Sequence, residues 1–234
     1  MNLKHSRIIV TGGSLGIGKA TARLLVQQGA KVVITGRDKV RLQEAAEATG
    51  AHAVIANVAK IEDIKRTYDE AIEYLDGLDA LVNNAGIGEF RLLSDITLED
   101  FQKVYAVNVF GAAMMAQVAA EIFKSQNHGT IINIGSSAAK KGFEQGSIYA
   151  SSKFALRGMT ECWQAELRKY NIRVMLINPS EVTTAFNNAS RQERESENKK
   201  LRGDEIAHAI KSALELDDRG FIPELSVWAT NPWK

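Results

Sequence analysis

The sequence predicts an α/β fold: a single domain on a doubly wound parallel β-sheet of about seven strands flanked by helices. Three observations lead there. Short apolar runs of strand length alternate without a break with segments of helical period. A glycine-rich turn follows the first of those runs directly. The 234 residues, 45% hydrophobic and 24% charged, suit one large domain with a sizeable core, and we assign 1–234 to it.

Residues 7–11 form the first apolar run, and Ile17, Ala20, Thr21, Leu24 and Leu25 continue at helical spacing. Between them Gly12, Gly16 and Gly18 permit a tight turn and close approach of a pyrophosphate to the backbone around Ser14 and Ile17. The N–H groups and positive end of the following helix stabilise that charge. A second strand, 31–35, follows in the order that a dinucleotide-binding Rossmann fold requires. After it come Gly36, Arg37 and Asp38. An arginine at this turn accommodates a 2′-phosphate, whereas an acid grips a ribose hydroxyl. NADP(H) is therefore favoured through Arg37, with NAD(H) the alternative if Asp38 is the ribose ligand.

An amphipathic helix (Val40, Leu42, Ala45, Ala46) and a third strand, 53–56, lead to Asn57 and Val58. A helix over 61–75, a fourth strand at 79–82, the polar turn Asn83-Asn84-Ala85-Gly86 and a long helix over 101–123 come next. A fifth strand at 129–135 delivers Ser136, with Ser137 as its rival, to the carboxyl end of the sheet, where ligands of such folds bind. Tyr149 and Lys153 lie four apart in a helical run, hence on one face and one turn apart. A nearby ammonium favours the phenolate of a tyrosine whose ordinary pKa is about 10, which makes Tyr149 a usable acid or base.

These motifs, in this order, resemble the short-chain dehydrogenase/reductase family over about residues 7–182: TGxxxGxG at Thr11 to Gly18, NNAG at Asn83 to Gly86, Asn108, Ser136, and YxxxK at Tyr149 and Lys153. The resemblance implies an oxidoreductase interconverting a carbonyl and an alcohol with a catalytic set of Asn108, Ser136, Tyr149 and Lys153. Asn108 would hold a water linking Lys153 to solvent, or serve as a buried structural amide. The resemblance adds cofactor contacts at Asn57 and Val58 (adenine), at Asn84, Ala85 and Gly86, and at Pro179, Val182 and Thr184 (nicotinamide). Asn57 replaces the family's aspartate and Ser180 replaces a glycine of its PGxVxT motif. Ala138, Phe143, Glu144 and Gln145 are expected along the substrate wall beside Ser136 and Tyr149.

A sixth strand, 172–178, precedes the hydrophilic segment 185–203, read as a substrate lid or a solvated loop. Asp204 is expected to cap a last helix, 219–227 to supply the last strand, and Trp228 and Trp233 to make subunit contacts in a homodimer or homotetramer. The net charge of +1 offers no footprint for nucleic acid or an anionic membrane. The longest uncharged run, 106–120, is shorter than the ~20 residues of a bilayer span. Strand-like sequence so near the N-terminus argues against a signal peptide, and the single Cys162, expected to pack rather than react, fits a reducing cytoplasm. No metal site is expected. A non-catalytic NADP-binding sensor or scaffold on the same fold is the reading from another class.

Overall fold

The structure, a computed structural model, describes residues 1–232 except 189, 196 and 198. Trp233 and part of 185–203 thus lie outside the described residues. Seven parallel strands run in the order β3-β2-β1-β4-β5-β6-β7: β1 (Arg7–Val10), β2 (Lys31–Gly36), β3 (His52–Ile55), β4 (Ala80–Asn83), β5 (Gly129–Ile134), β6 (Ile172–Pro179) and β7 (Glu224–Val227). Strand order reverses between β1 and β4, which opens a crevice at the carboxyl ends of the strands.

Side chains alternate across the sheet because strand periodicity is two. Ile8, Val10, Val32 and Ile34 face one layer, built on α1 (Gly16–Gln27), α2 (Lys39–Thr49) and α7 (Gly203–Glu215). Ile9, Val33, Leu81, Ile131 and Val174 face the other, packed by α3 (Ile61–Leu75), α5 (Ala112–Gln126) and the end of α6 (Ser147–Leu167). The central strands are buried on both faces, which explains their continuous apolar runs.

α4 (Leu98–Tyr105) begins with a capping box, in which the Thr97 hydroxyl accepts from the Asp100 N–H and the Asp100 carboxylate accepts from the Thr97 N–H. It runs into α5 through a widened π-helical turn at Ala106–Gly111. The continuous helix Leu98–Gln126 is long and apolar enough to cross a membrane, yet Met115, Ala116, Ala119 and Phe123 bury it against the sheet as a core helix.

Three local expectations are corrected. Arg202, not Asp204, occupies the N-cap of α7: its backbone N–H donates to Glu205 at 2.7 Å, while Asp204 pairs with Arg23 across the α1–α7 contact. β7 starts at Glu224, later than expected, because Pro223 has no N–H for a ladder and instead accepts from the Leu176 N–H. Cys162 is exposed on α6 rather than packed.

Candidate active site and cofactor crevice

The crevice is a cavity of about 1210 Å³. It is bordered by every expected catalytic and cofactor-binding residue except Gly18 and Asn108, which lie outside its lining. Its floor is fixed by hydrogen bonds between the first and fourth strand ends. The Thr11 hydroxyl accepts from the Asn84 and Ala85 N–H groups, each at 3.0 Å, and the Asn84 side-chain amide donates to the Thr11 and Gly12 carbonyls at 2.8 and 3.1 Å. Gly12 adopts φ +66°, and a Cβ there would lie 2.9 Å from the Ala85 Cα. A Cβ at Gly18 would lie 2.3 Å from the Gly12 carbonyl oxygen. The loop is thus compatible with glycine alone at both positions.

Leu15 caps α1 without a side-chain bond, which leaves the first-turn N–H groups pointing into the crevice. The Gly16 N–H donates instead to Glu193 at 2.7 Å. A carboxylate bound there shows that the cradle accepts an anion, so the residues fit a dinucleotide pyrophosphate.

At the far end of the crevice, the Ser136 backbone N–H donates to the Asn178 side-chain oxygen at 3.1 Å. The Ser136 hydroxyl accepts from the Ala138 N–H, and Ser136 borders the same end of the crevice as Tyr149. Lys153 is buried and donates to the Ile134 carbonyl at 2.8 Å, with its nitrogen 5.8 Å from the centre of the Tyr149 ring. Burial pulls its pKa down to about 8. Desolvation pushes the Tyr149 phenol up, and the neighbouring Ser136 hydroxyl pulls it partly back. The expected net lowering of Tyr149 is therefore reversed here: burial of the ring outweighs its polar neighbours, and Tyr149 stands as a neutral, protonated phenol.

The π-turn brings Asn108 inward, 1% exposed. Its amide accepts from the Ile87 N–H and donates to the Ile87 carbonyl, both at 2.9 Å, and donates to the Ser152 hydroxyl at 3.0 Å. Both amide hydrogens are used within the protein, which ties the turn after Asn84 to the helix carrying Tyr149 and Lys153.

At the adenosine end, Arg37, Asp38 and Arg41 border the cavity. The Asp38 carboxylate caps α2, accepting from the Arg41 N–H at 3.0 Å, and also pairs with the Arg41 guanidinium. Arg37 has no ion-pair partner among the described residues. Asn57 accepts from the Ala59 N–H through its side-chain oxygen, which keeps one lone pair for an incoming donor. Ser180 departs from glycine for a visible reason: its N–H bonds the Val227 carbonyl at 2.8 Å and its hydroxyl accepts from the Ala229 N–H, fastening β7.

Of the expected substrate wall, Ala138 and Phe143 border the cavity, but Glu144 and Gln145 do not; Gln145 sits at φ +63° with its carbonyl bonded to the Arg91 N–H. Sequence reasoning missed Asn178, Phe90 and Phe186. The Phe90 and Phe186 rings each lie 5.5 Å from that of Tyr149, and Phe143 lies 6.0 Å from Phe90. Phe90 belongs to an irregular loop and Phe186 to the hydrophilic segment, so no periodicity marks either.

The family model for short chain dehydrogenase matches residues 6–195, and the chain belongs to that family. It is an NAD(P)-dependent dehydrogenase/reductase. Among similar proteins, an uncharacterized oxidoreductase of Bacillus subtilis (strain 168) is 36% identical over 193 residues, 79% of this chain. The chain spans about half (54%) of that relative's length. Carbonyl reductase family member 4 of Xenopus tropicalis is 38% identical over 176 residues, 75% of each chain. Among solved structures, an alcohol dehydrogenase of the archaeon Thermococcus sibiricus complexed with 5-hydroxy-NADP superimposes with TM-score 0.87 at 25% identity, covering 96% of this chain and 97% of that one. A 3-ketoacyl-(acyl-carrier-protein) reductase of Brucella melitensis complexed with NADH gives TM-score 0.89 at 26% identity, covering 98% and 99%.

Proposed function

We propose that this chain is an NADP(H)-dependent reductase of small-molecule ketones or aldehydes, with Ser136, Tyr149, Lys153 and Asn108 as its site. The observation that carries the reading is the convergence of the Tyr149 phenol, the Ser136 hydroxyl and the Lys153 ammonium at one end of a crevice whose other end presents Arg37.

The nicotinamide cofactor, when bound, supplies or accepts the hydride. Ser136 and Tyr149 hydrogen-bond the substrate oxygen and fix its position. Tyr149, kept protonated by its surroundings, donates its proton to that oxygen as charge develops on it. Lys153, positively charged at neutral pH, stabilises the phenolate left behind and offers its remaining N–H groups to ribose hydroxyls. Asn108 acts as a positioning residue that locks the helix turn holding Lys153. Phe90, Phe143 and Phe186 make the substrate side apolar, which favours a carbonyl flanked by a hydrocarbon or aromatic group.

Two features support NADP(H) over NAD(H). The Asp38 carboxylate is engaged in capping and ion pairing, and Arg37 beside it is free to meet a 2′-phosphate. We place the enzyme in the cytoplasm as a homodimer or homotetramer, with exposed Trp228 as one available contact. Fluorescence titration with NADPH and then NADH, repeated with Arg37→Ala, tests the cofactor reading. NADPH is expected to bind at least tenfold tighter, with the preference collapsing in the variant. Equal or tighter NADH binding would make Asp38 the ribose ligand and favour an NAD-dependent secondary-alcohol dehydrogenase.

A further inference from the structure

The segment 185–203 contributes to the cofactor end of the crevice as well as to the substrate end. Glu193 bridges two walls of the phosphate cradle: one carboxylate oxygen accepts from the Gly16 N–H at 2.7 Å, the other from the Ala185 N–H at 3.0 Å. Gly16 and Thr184 are in close apposition, since a Cβ on Gly16 would lie 3.0 Å from the Thr184 Cβ. The two donors thus flank the gap that a pyrophosphate must enter. A carboxylate and a phosphate oxygen compete for the same N–H groups and the same helix end.

Two residues earlier, the chain places Arg191 on the same cavity as Arg37 and Arg41. Arg191 is half-buried and takes φ +54°, and its N–H is bonded to the Asn188 carbonyl at 3.0 Å. Burial lowers its guanidinium pKa, and the charges of Arg37 and Arg41 lower it further. Three guanidinium groups thus crowd one opening, an arrangement that a bound dianion would stabilise. Only Arg41 of the three has an ion-pair partner among the described residues.

We propose that this segment exchanges anions with the cofactor: Glu193 holds the pyrophosphate seat in the cofactor-free protein, and Arg191 joins Arg37 and Arg41 as a ligand of the 2′-phosphate. The Arg191 part rests on the NADP(H) reading above; the Glu193 part holds for any dinucleotide. Arg194 anchors the base of the segment through the Thr184 and Val182 carbonyls, and Lys200 pairs with Glu181 at 3.1 Å. These bonds leave the two exchanging side chains to move on a fixed stem.

The test is equilibrium titration of the pure protein with NADPH and NADH, read by cofactor fluorescence, for the wild type, Glu193→Gln and Arg191→Ala. Gln keeps the shape and removes the charge, so Glu193→Gln is expected to tighten both cofactors about threefold or more by a common factor. Unchanged or weaker binding of both would overturn the seat. Arg191→Ala is expected to weaken NADPH at least fivefold while leaving NADH within twofold. An NADPH preference untouched by Arg191→Ala overturns the Arg191 assignment alone. Equal wild-type affinity for NADPH and NADH overturns that assignment together with the cofactor reading beneath it. Circular dichroism of each variant separates these outcomes from misfolding.

Discussion

The Lys153 ammonium donates to the Ile134 backbone carbonyl at 2.8 Å, so the last residue of β5 holds the side chain that lies beneath Tyr149. Two residues beyond Ile134 the same strand end presents Ser136. Helix and strand are thereby registered to one another at the proposed catalytic end of the crevice, and the cost is a buried cation.

That cost is measurable. Lys153 sits at about 8 instead of its ordinary 10.5 because burial disfavours its charged form. The unfolded chain therefore binds the proton more tightly, and the wild type carries a penalty fully present below pH 8 that fades as pH rises toward 10.5. Lys153→Met is expected to abolish turnover and yet raise thermal stability at pH 7, by an amount on the order of 1–3 kcal/mol. Melting curves at pH 7 and pH 10 should show the advantage of the variant shrinking. A variant less stable at pH 7 would mean that the Ile134 bond outweighs desolvation.

Asn178 orients Ser136 from the neighbouring strand. It accepts from the Ser136 N–H and donates to Glu224 at 2.7 Å, and Glu224 in turn pairs with Lys140 and Arg157. Asn178→Ala strands a partly buried N–H and deprives a carboxylate of a donor, with an expected loss of about 1–3 kcal/mol in stability. The accompanying drop should fall on kcat more than on KM for NADPH. Chemical denaturation and steady-state kinetics check both, and unchanged kcat would remove Asn178 from the positioning of Ser136.

Much of this was legible before the structure. All seven strands and the glycine loop stood out because both are short-range signals: apolar runs, and glycines where a Cβ would meet backbone. Ser136, Tyr149 and Lys153 were singled out by the resemblance of their spacing to the family's motifs, and all three border the crevice. Asn178 was not, because its importance comes from a hydrogen bond to a residue 42 positions away. Phe90 and Phe186 were not, because loops carry no period. The direction of the Tyr149 shift was misread, since a four-residue spacing reveals the nearby lysine but not the desolvation of the ring.

The aromatic wall yields a substrate prediction. A Cβ at Gly88 would lie 2.8 Å from the Phe90 ring and 3.0 Å from that of Phe186, so Gly88→Ala must push both rings. The variant is expected to raise KM for a phenyl ketone several-fold more than for a small aliphatic ketone, while NADPH affinity holds. Equal changes for both ketones would detach these rings from substrate binding.

Gly12→Ala tests the floor of the cradle. The new methyl meets the Ala85 Cα at 2.9 Å in a φ +66° conformation that alanine resists. Cofactor affinity should fall more than tenfold with a lowered melting temperature, and retained affinity would show that the loop moves without consequence.

The most direct test of the central claim is Tyr149→Phe, measured for NADPH binding and for ketone turnover side by side. The ring stays between Phe90 and Phe186 while the proton donor is removed, so turnover should fall by about 10²–10⁴-fold with NADPH affinity essentially unchanged. Turnover close to wild type in a variant that still binds NADPH would contradict the assignment of Tyr149 as the acid of the reaction.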